Sequence, residues 1–155
     1  MHQSSDHADV KIHPPLLIIL FLGLTYLANR FIPFPIAVPP ILKIVGEVLL
    51  IIGFLLGAGA MQQFRRARTT VLPHGSVSRI IDWGIFRITR NPIYLGFLLS
   101  LVGFSLYLET WWGVILAPLF VYLMNKYVIE HEEAYLESKF QDSYTGYKSR
   151  VRRWL

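Results

Sequence analysis

Two arginines, an asparagine, a proline and a tyrosine open the segment RITRNPIYLGFLLSL, residues 87–101, at the edge of an apolar run. Arg90 supplies a guanidinium group that can bind a carboxylate through two hydrogen bonds. Asn91 followed by Pro92 is typical of a helix start, because Asn suits the N-cap and Pro the first turn. Tyr94 would lie one turn further in, close to N–H groups that favour anions. The combination indicates binding of an anionic, partly aromatic ligand.

A second polar segment, residues 130–155, follows the last apolar run and reads EHEEAYLESKFQDSYTGYKSRVRRWL. Its spacing is typical of an amphipathic helix, and its basic end would contact lipid phosphates if that helix lay on a membrane. Paired carboxylates, tyrosines and arginines directly after a span are also what a cytosolic cap over a ligand would need. At this point both interpretations stay open.

The composition is that of a membrane protein, with 155 residues, 54% of them hydrophobic, and a mean hydropathy of +0.45. Four apolar runs approach the roughly 20 residues that cross a bilayer. We therefore predict an all-α, polytopic membrane protein with about four transmembrane helices and a C-terminal cytosolic amphipathic helix. The single membrane domain would consist of a mobile tail at 1–13, two spans in 14–61, a basic loop at 62–90, a hairpin of two spans at 91–129 and a capping segment at 130–155.

Charge and cysteine content restrict the function classes. The chain has a net charge of +5 and no cysteine, which excludes disulfides, thiolate nucleophiles and cysteine-based metal sites. The basic residues concentrate in two stretches, 65–90 and 139–153. By the positive-inside rule both stretches and both termini would be cytoplasmic, in the inner membrane if the protein is bacterial. No nucleic-acid motif accompanies the arginines, so we expect no nucleic-acid partner. The histidines lack the spacing of a metal site, and His74 and His131 are only weak functional candidates.

Small residues recur in the second and third apolar runs at spacings that suit close packing of membrane helices. This packing would join helices of one chain or of two copies, and the pattern leaves both alternatives open. Glu47 is a carboxylate inside the second run, and Lys43 precedes it by one helical turn, so we expect these two side chains to pair. The small residues are Gly46, Gly53, Gly57, Gly96, Ser100 and Gly103.

Together, the two polar segments resemble the isoprenylcysteine carboxyl methyltransferase family, which belongs to the integral-membrane methyltransferases related to phospholipid N-methyltransferases. The family pattern is Arg-His-Pro-x-Tyr-x-Gly, then Glu-Glu-x-x-Leu, then Phe-Gly-x-x-Tyr-x-x-Tyr and a basic end. Each motif is short, but their order and placement against two spans make the set specific over about residues 60–155. The matching positions are Arg90, Pro92, Tyr94, Gly96, Glu132, Glu133, Leu136, Phe140, Tyr144, Tyr147 and the basic stretch from Arg150 to Arg153.

Two positions depart from that pattern. Asn91 stands in place of the histidine of the eukaryotic enzymes, which argues against any role that needs a titrating imidazole there. Gln141 replaces the family glycine, so the turn at this position would differ. With fewer spans than the eukaryotic enzymes, the chain looks like a bacterial-type member.

The resemblance implies S-adenosylmethionine as the cofactor, held at the cytosolic face, and a lipophilic methyl acceptor that enters from the membrane lipids. It points to Arg90 and Glu133 as the catalytic residues. Arg90 or Arg150 would pair with the cofactor carboxylate, and Glu132 or Glu133 would bind its amino group or ribose hydroxyls. The residues expected to line or shape the remaining cofactor site are Asn91, Tyr94, Gly96, Tyr144 and Tyr147.

Other functions remain as alternatives. A phospholipid or amine N-methyltransferase and a thiol S-methyltransferase would use the same cofactor site. A non-catalytic membrane protein would use its basic cap to bind anionic lipid or a partner, but the paired Glu132 and Glu133 would gain nothing from acidic headgroups. A nicotinamide-dependent reductase is a further alternative, although the chain lacks a Gly-rich dinucleotide fingerprint.

Overall fold

A computed structural model describes residues 10–69 and 77–155, and every regular element in these ranges is helical. The all-α prediction is therefore confirmed. Residues 1–9 of the predicted tail, and His74, lie outside the described ranges. The elements are α1 (Pro14–Phe31), α2 (Pro40–Ala67), a 3-10 turn (Gly84–Arg87), α3 (Pro92–Tyr107), α4 (Trp112–Met124), a π-helical turn (Asn125–Ile129), α5 (Glu130–Phe140) and α6 (Asp142–Arg150).

Three helices are long and apolar enough to cross a membrane: α1, α2 and the continuous helix Trp112–Phe140 that contains α4 and α5. The fourth predicted span, α3, is a shorter apolar helix of 16 residues. It is about 24 Å long, which is less than the roughly 30 Å of a typical hydrocarbon core. The protein is thus a polytopic membrane protein, with three full-length helices and a fourth that is shorter.

Helices α2 and α3 make the most extensive contact among the described elements, and glycines make it possible. A Cβ added to Gly46 would lie 2.7 Å from the carbonyl oxygen of Gly103, and one added to Gly96 would lie 2.6 Å from that of Gly53. The two backbones therefore touch, as the small-residue spacing predicts. Gly57 differs, because an added Cβ there would meet nothing within 4 Å.

The connection between α3 and α4 is short and internally bonded. Ser105 Oγ donates to the Thr110 carbonyl oxygen at 2.6 Å and accepts from the Gly113 N–H at 2.9 Å. Lys43 Nζ lies 3.2 Å from Glu109 Oε1 in this connection, so the predicted pairing of Lys43 with Glu47 is wrong. The lysine side chain reaches the adjacent loop, where Glu109 offers a carboxylate, while Glu47 faces outward.

The C-terminal segment is two helices rather than one. Gln141 has φ +44°, in the region that glycine prefers, and the chain bends sharply there between α5 and α6. This backbone conformation accounts for a glycine in the family pattern, and glutamine adopts it under strain. After α6, residues 151–154 run back along the start of α3, where the Arg90 N–H donates to the Arg152 carbonyl oxygen at 3.0 Å. We call residues 151–154 the C-terminal strap.

Candidate active site

A cavity of about 140 Å³ lies where α2 ends, α3 begins and α5 and α6 fold over them. Apolar and aromatic side chains form much of its wall, including Phe64, Phe86 and Leu136. Two polar segments that are about forty residues apart in the chain thus meet around one space. The predicted site residues that line it are Arg90, Asn91, Tyr94, Glu132, Glu133, Tyr144 and Tyr147.

Glu133 is the centre of the buried charge cluster at this cavity and is only 6% exposed. Arg153 binds it with two nitrogens: Nε to Oε1 at 3.1 Å and Nη2 to Oε2 at 2.7 Å. Arg90 Nη2 lies 3.0 Å from Glu133 Oε1. Two guanidinium groups therefore satisfy this carboxylate, which supplies the pairing that a buried charge requires. The Glu133 hydrogen bond holds the Arg153 pKa above its ordinary value.

Two of the three guanidinium nitrogens of Arg90 have no hydrogen-bond partner in the described residues. Its Nε and Nη1 atoms are buried, and no acceptor within the two described ranges of the chain bonds to either. Buried donors without partners are rare because desolvation is costly, and a catalytic role or a bound water or ion is among the explanations for them. The unpaired Nε and Nη1 lie on different edges of the guanidinium, so Arg90, which lines the cavity, can donate further hydrogen bonds to an anionic group such as a carboxylate.

Tyr94 and Glu132 form a second polar pair in the cavity wall. The Tyr94 hydroxyl donates to Glu132 Oε1 at 2.6 Å, which joins the first turn of α3 to α5. One carboxylate oxygen is thereby engaged, and a carboxylate can accept further hydrogen bonds at its second oxygen. The pair can therefore hold a cationic amino group in the cavity that Arg90 also lines.

Tyr144 and Tyr147 supply aromatic surface rather than acid–base chemistry. They are 3% and 4% exposed, and their ring centroids are 6.1 Å apart. The Tyr147 hydroxyl donates to the Phe86 carbonyl oxygen at 2.7 Å. Burial raises the pKa of both phenols well above the ordinary value, so both stay protonated near neutral pH.

Three of the predicted site residues make contacts outside the cavity. Asn91 occupies the N-cap position of α3, but its side chain makes no capping bond and donates from Nδ2 to the Arg153 carbonyl oxygen at 2.9 Å. Gly96 faces α2, where its missing side chain permits backbone contact. Arg150 is exposed and lies in a separate cleft with Asp82 and other residues.

Sequence reasoning missed Arg153 as a distinct residue, because it stands in a basic end where Arg150 carries the same charge. Thr89 was also missed, and its hydroxyl donates to the Arg153 carbonyl oxygen at 3.1 Å. Tyr135 and Arg79 line the cavity as well. The basic end of the family pattern was the available signal, but it does not say which arginine faces inward. Of the weak candidates, His131 has a buried Nδ1 and does not line the cavity.

Most residues that line the cavity lie within a part of the chain that matches a sequence family. The profile of the family "Phospholipid methyltransferase" matches residues 41–143, which include α2 from its second residue, α3, α4, α5 and the Tyr94–Glu132 pair. The chain belongs to the phospholipid methyltransferase family. As a member, it is a membrane methyltransferase.

Two relatives add detail to that assignment. An uncharacterized protein of Haemophilus influenzae is 47% identical over 66 residues, which cover 41% of this chain and all of that protein. The protein-S-isoprenylcysteine O-methyltransferase of Schizosaccharomyces pombe is 35% identical over 72 residues, 46% of this chain. This chain spans only 30% of the yeast enzyme's length. No solved structure matches the chain.

Proposed function

We propose that this phospholipid methyltransferase family member transfers a methyl group from S-adenosylmethionine to a lipophilic acceptor at the cytoplasmic face of the membrane. The observation that carries the proposal is the buried guanidinium of Arg90, which lines an aromatic cavity and whose Nε and Nη1 donors have no partner in the described residues. A carboxylate of an amino-acid-like cofactor is the group that such a guanidinium would bind.

The chemistry of the cavity wall fits the remaining parts of that cofactor. Glu132, held by Tyr94, supplies a carboxylate for the amino group. The buried rings of Tyr144 and Tyr147 supply flat surface for the adenine, and an aromatic face also attracts a sulfonium cation. These residues come from α3, α5 and α6, so the cofactor would be bound only when the three helices are assembled.

When bound, S-adenosylmethionine supplies an electrophilic methyl group whose departure leaves a neutral thioether. The protein therefore needs no general acid, and its contribution is alignment, which can supply up to ~7–11 kcal/mol under ideal geometry. Arg90 and Glu132 would fix the two ends of the amino-acid portion. The protonated phenols of Tyr144 and Tyr147 would shape the site without accepting a proton.

The apolar part of the cavity supports a lipophilic acceptor. Ile80, Ile93 and Leu136 line it beside the polar groups. The relative in Schizosaccharomyces pombe is named for O-methylation of isoprenylcysteine, while the family profile is named for phospholipids. We therefore propose a lipid-like acceptor, to be identified by transfer of a labelled methyl group to prenylated thiols, prenylcysteines and aminophospholipids in parallel.

Calorimetric titration of the protein in lipid nanodiscs with S-adenosylhomocysteine tests the cofactor site. We expect micromolar binding by the wild-type chain, and a loss of at least about tenfold for Arg90→Gln, because the charged contact to the ligand carboxylate is removed. Arg66→Gln is the matched control, since Arg66 is an exposed arginine in the last turn of α2. A folded wild-type protein that binds neither S-adenosylhomocysteine nor S-adenosylmethionine would refute the proposal.

Orientation is tested separately, and the absence of cysteine from the sequence makes single-cysteine labelling direct. Ile36→Cys lies in the exposed α1–α2 connection, and Ser149→Cys is exposed near the end of α6. With both termini cytoplasmic, a membrane-impermeant maleimide would label position 36 in intact cells and position 149 only after permeabilisation. The reverse pattern would contradict the cytoplasmic placement.

A further inference from the structure

We propose that Arg153 of the C-terminal strap is a positioning residue that keeps the Arg90 guanidinium free for a ligand carboxylate. It would do this by holding both oxygens of Glu133, so that Glu133 cannot pair with Arg90 in a two-bond fork. The inference rests on the proposed cofactor function and adds to it, because it assigns a role to a residue that would not touch the cofactor.

The strap is fixed by contacts with distant parts of the chain. Its Arg152 and Arg153 carbonyl oxygens accept hydrogen bonds from residues 89–91 just before α3, at distances of 2.9–3.1 Å. Trp154 Nε1 donates to Asn125 Oδ1 at 3.1 Å, in the π-helical turn. The strap thus connects residues 89–91 to the helix that carries Glu133.

The side chain of Arg153 makes more contacts with Glu133 than the side chain of Arg90 does. Its Nε and Nη2 atoms engage both Glu133 oxygens, whereas Arg90 reaches only Oε1, through Nη2. Two parallel bonds from one guanidinium fix the carboxylate plane. Arg90 is therefore held at one nitrogen, and its other two nitrogens stay without a partner in the described residues.

Loss of the Arg153 fork would leave a buried carboxylate short of donors. Arg90 is the nearest cation that could replace them, and a two-bond pairing would consume one of its free nitrogens. Lys148 is a poor substitute, since its Nζ lies 3.8 Å from Glu133 Oε2 and is already paired with Glu137. The carboxylate of Glu133 would then compete directly with the ligand carboxylate for Arg90.

The competition predicts a rescue that a purely structural role would not produce. Arg153→Gln should raise the dissociation constant for S-adenosylhomocysteine by about tenfold or more. The double variant Arg153→Gln/Glu133→Gln should return it to within about threefold of wild type, because the competing charge is gone. The second probe is 5′-methylthioadenosine, which lacks the carboxylate, and its affinity should change by less than about twofold in the single variant.

Titration in lipid nanodiscs measures these affinities, with thermal unfolding of each variant as the check on folding. Trp154→Phe is the matched control, because it removes a strap hydrogen bond without changing the charges around Glu133. We expect it to leave the ratio of the two ligand affinities unchanged. If Arg153→Gln fails to fold, Arg153→Lys is tested instead, because lysine keeps the charge but cannot form the fork. We then expect weaker binding of S-adenosylhomocysteine and unchanged binding of 5′-methylthioadenosine.

Two results would overturn the proposal. Equal weakening of both ligands by the Arg153 variant would show general damage, and a double variant weaker than the single one would show that the Glu133 charge does not compete. Either result leaves the proposed function intact, provided that the wild-type chain binds S-adenosylhomocysteine. Absence of wild-type binding to either ligand would instead remove the proposed function, and this inference with it.

Discussion

The α2–α3 contact and the charge cluster around Glu133 hold the same helix, α3, by opposite means. The first brings two backbones together at glycines, with Gly96 against Gly53 and no charged group between them. The second joins Arg90, just before α3, to α5 and the strap through ion pairs within a buried site. The helix contact is satisfied without any ligand, whereas the cluster leaves two Arg90 nitrogens without partners in the described chain.

The two regions therefore differ in role: the helix contact stabilises the fold, and the charge cluster would also bind a ligand. In lipid, close backbone approach stabilises helix pairs through dispersion, and it depends on shape alone. The cluster depends on charge, and its buried donors are costly unless something occupies the cavity. We therefore expect substitutions at the glycines to lower stability in general, and substitutions at the cluster to alter ligand affinity as well as stability.

The largest effect is expected for Glu133→Ala. Removal of this carboxylate leaves Arg90 and Arg153 buried or half-buried without their acceptor, a change that typically costs about 3–5 kcal/mol. Chemical unfolding in detergent measures the loss. Glu130→Ala is the control, because its pair with Lys126 is exposed and contributes at most about 1 kcal/mol. Equal losses for the two variants would contradict the central place of Glu133.

A smaller effect, of about 1–3 kcal/mol, is expected for Gly96→Ala, because the added Cβ would lie 2.6 Å from the Gly53 carbonyl oxygen and would push α2 and α3 apart. The matched control is Gly57→Ala, where the added carbon meets open space and should leave stability equal or slightly higher. Thermal unfolding in the same detergent compares them. A harmless Gly96→Ala would mean that the helices can separate at little cost.

Tyr94→Phe should cost about 1 kcal/mol, since it removes one hydrogen bond to Glu132 and keeps the ring. The same variant should weaken binding of S-adenosylhomocysteine more than binding of 5′-methylthioadenosine, because the second ligand lacks the α-amino group that Glu132 would hold. Titration with both ligands decides this. An equal effect on both would place the amino group elsewhere.

The smallest effect concerns alkaline pH. Because burial raises the Tyr144 pKa, the folded protein keeps a proton that the unfolded chain loses above about pH 10. The contribution is fully present below that pH and is lost as pH rises towards the folded-state pKa. Tyr144→Phe should therefore make the alkaline loss of stability shallower with little change near neutral pH. Unfolding midpoints between about pH 8 and 11 test this, and an unchanged slope would count against it.

Much of this molecule was predictable from the sequence because the signals are local. Apolar runs and glycine spacing predict membrane helices and their contact, and Asn91-Pro92 predicts where α3 begins. The motif residues Arg90, Tyr94, Glu132 and Glu133 all line one cavity. The pairing of Lys43 failed, because its partner Glu109 is 66 residues away and helical spacing reports only neighbours within a turn or two.

The helical membrane architecture and the methyltransferase motifs can be read from the amino-acid sequence, since periodicity, composition and motif order do not depend on long-range contacts. Which basic residue enters the site depends on the tertiary structure. Arg150 and Arg153 carry the same charge and lie three positions apart, yet one is exposed and the other holds Glu133. The bend at Gln141 and the return of the strap along α3 set that choice, because they fix which side chains face the buried carboxylate.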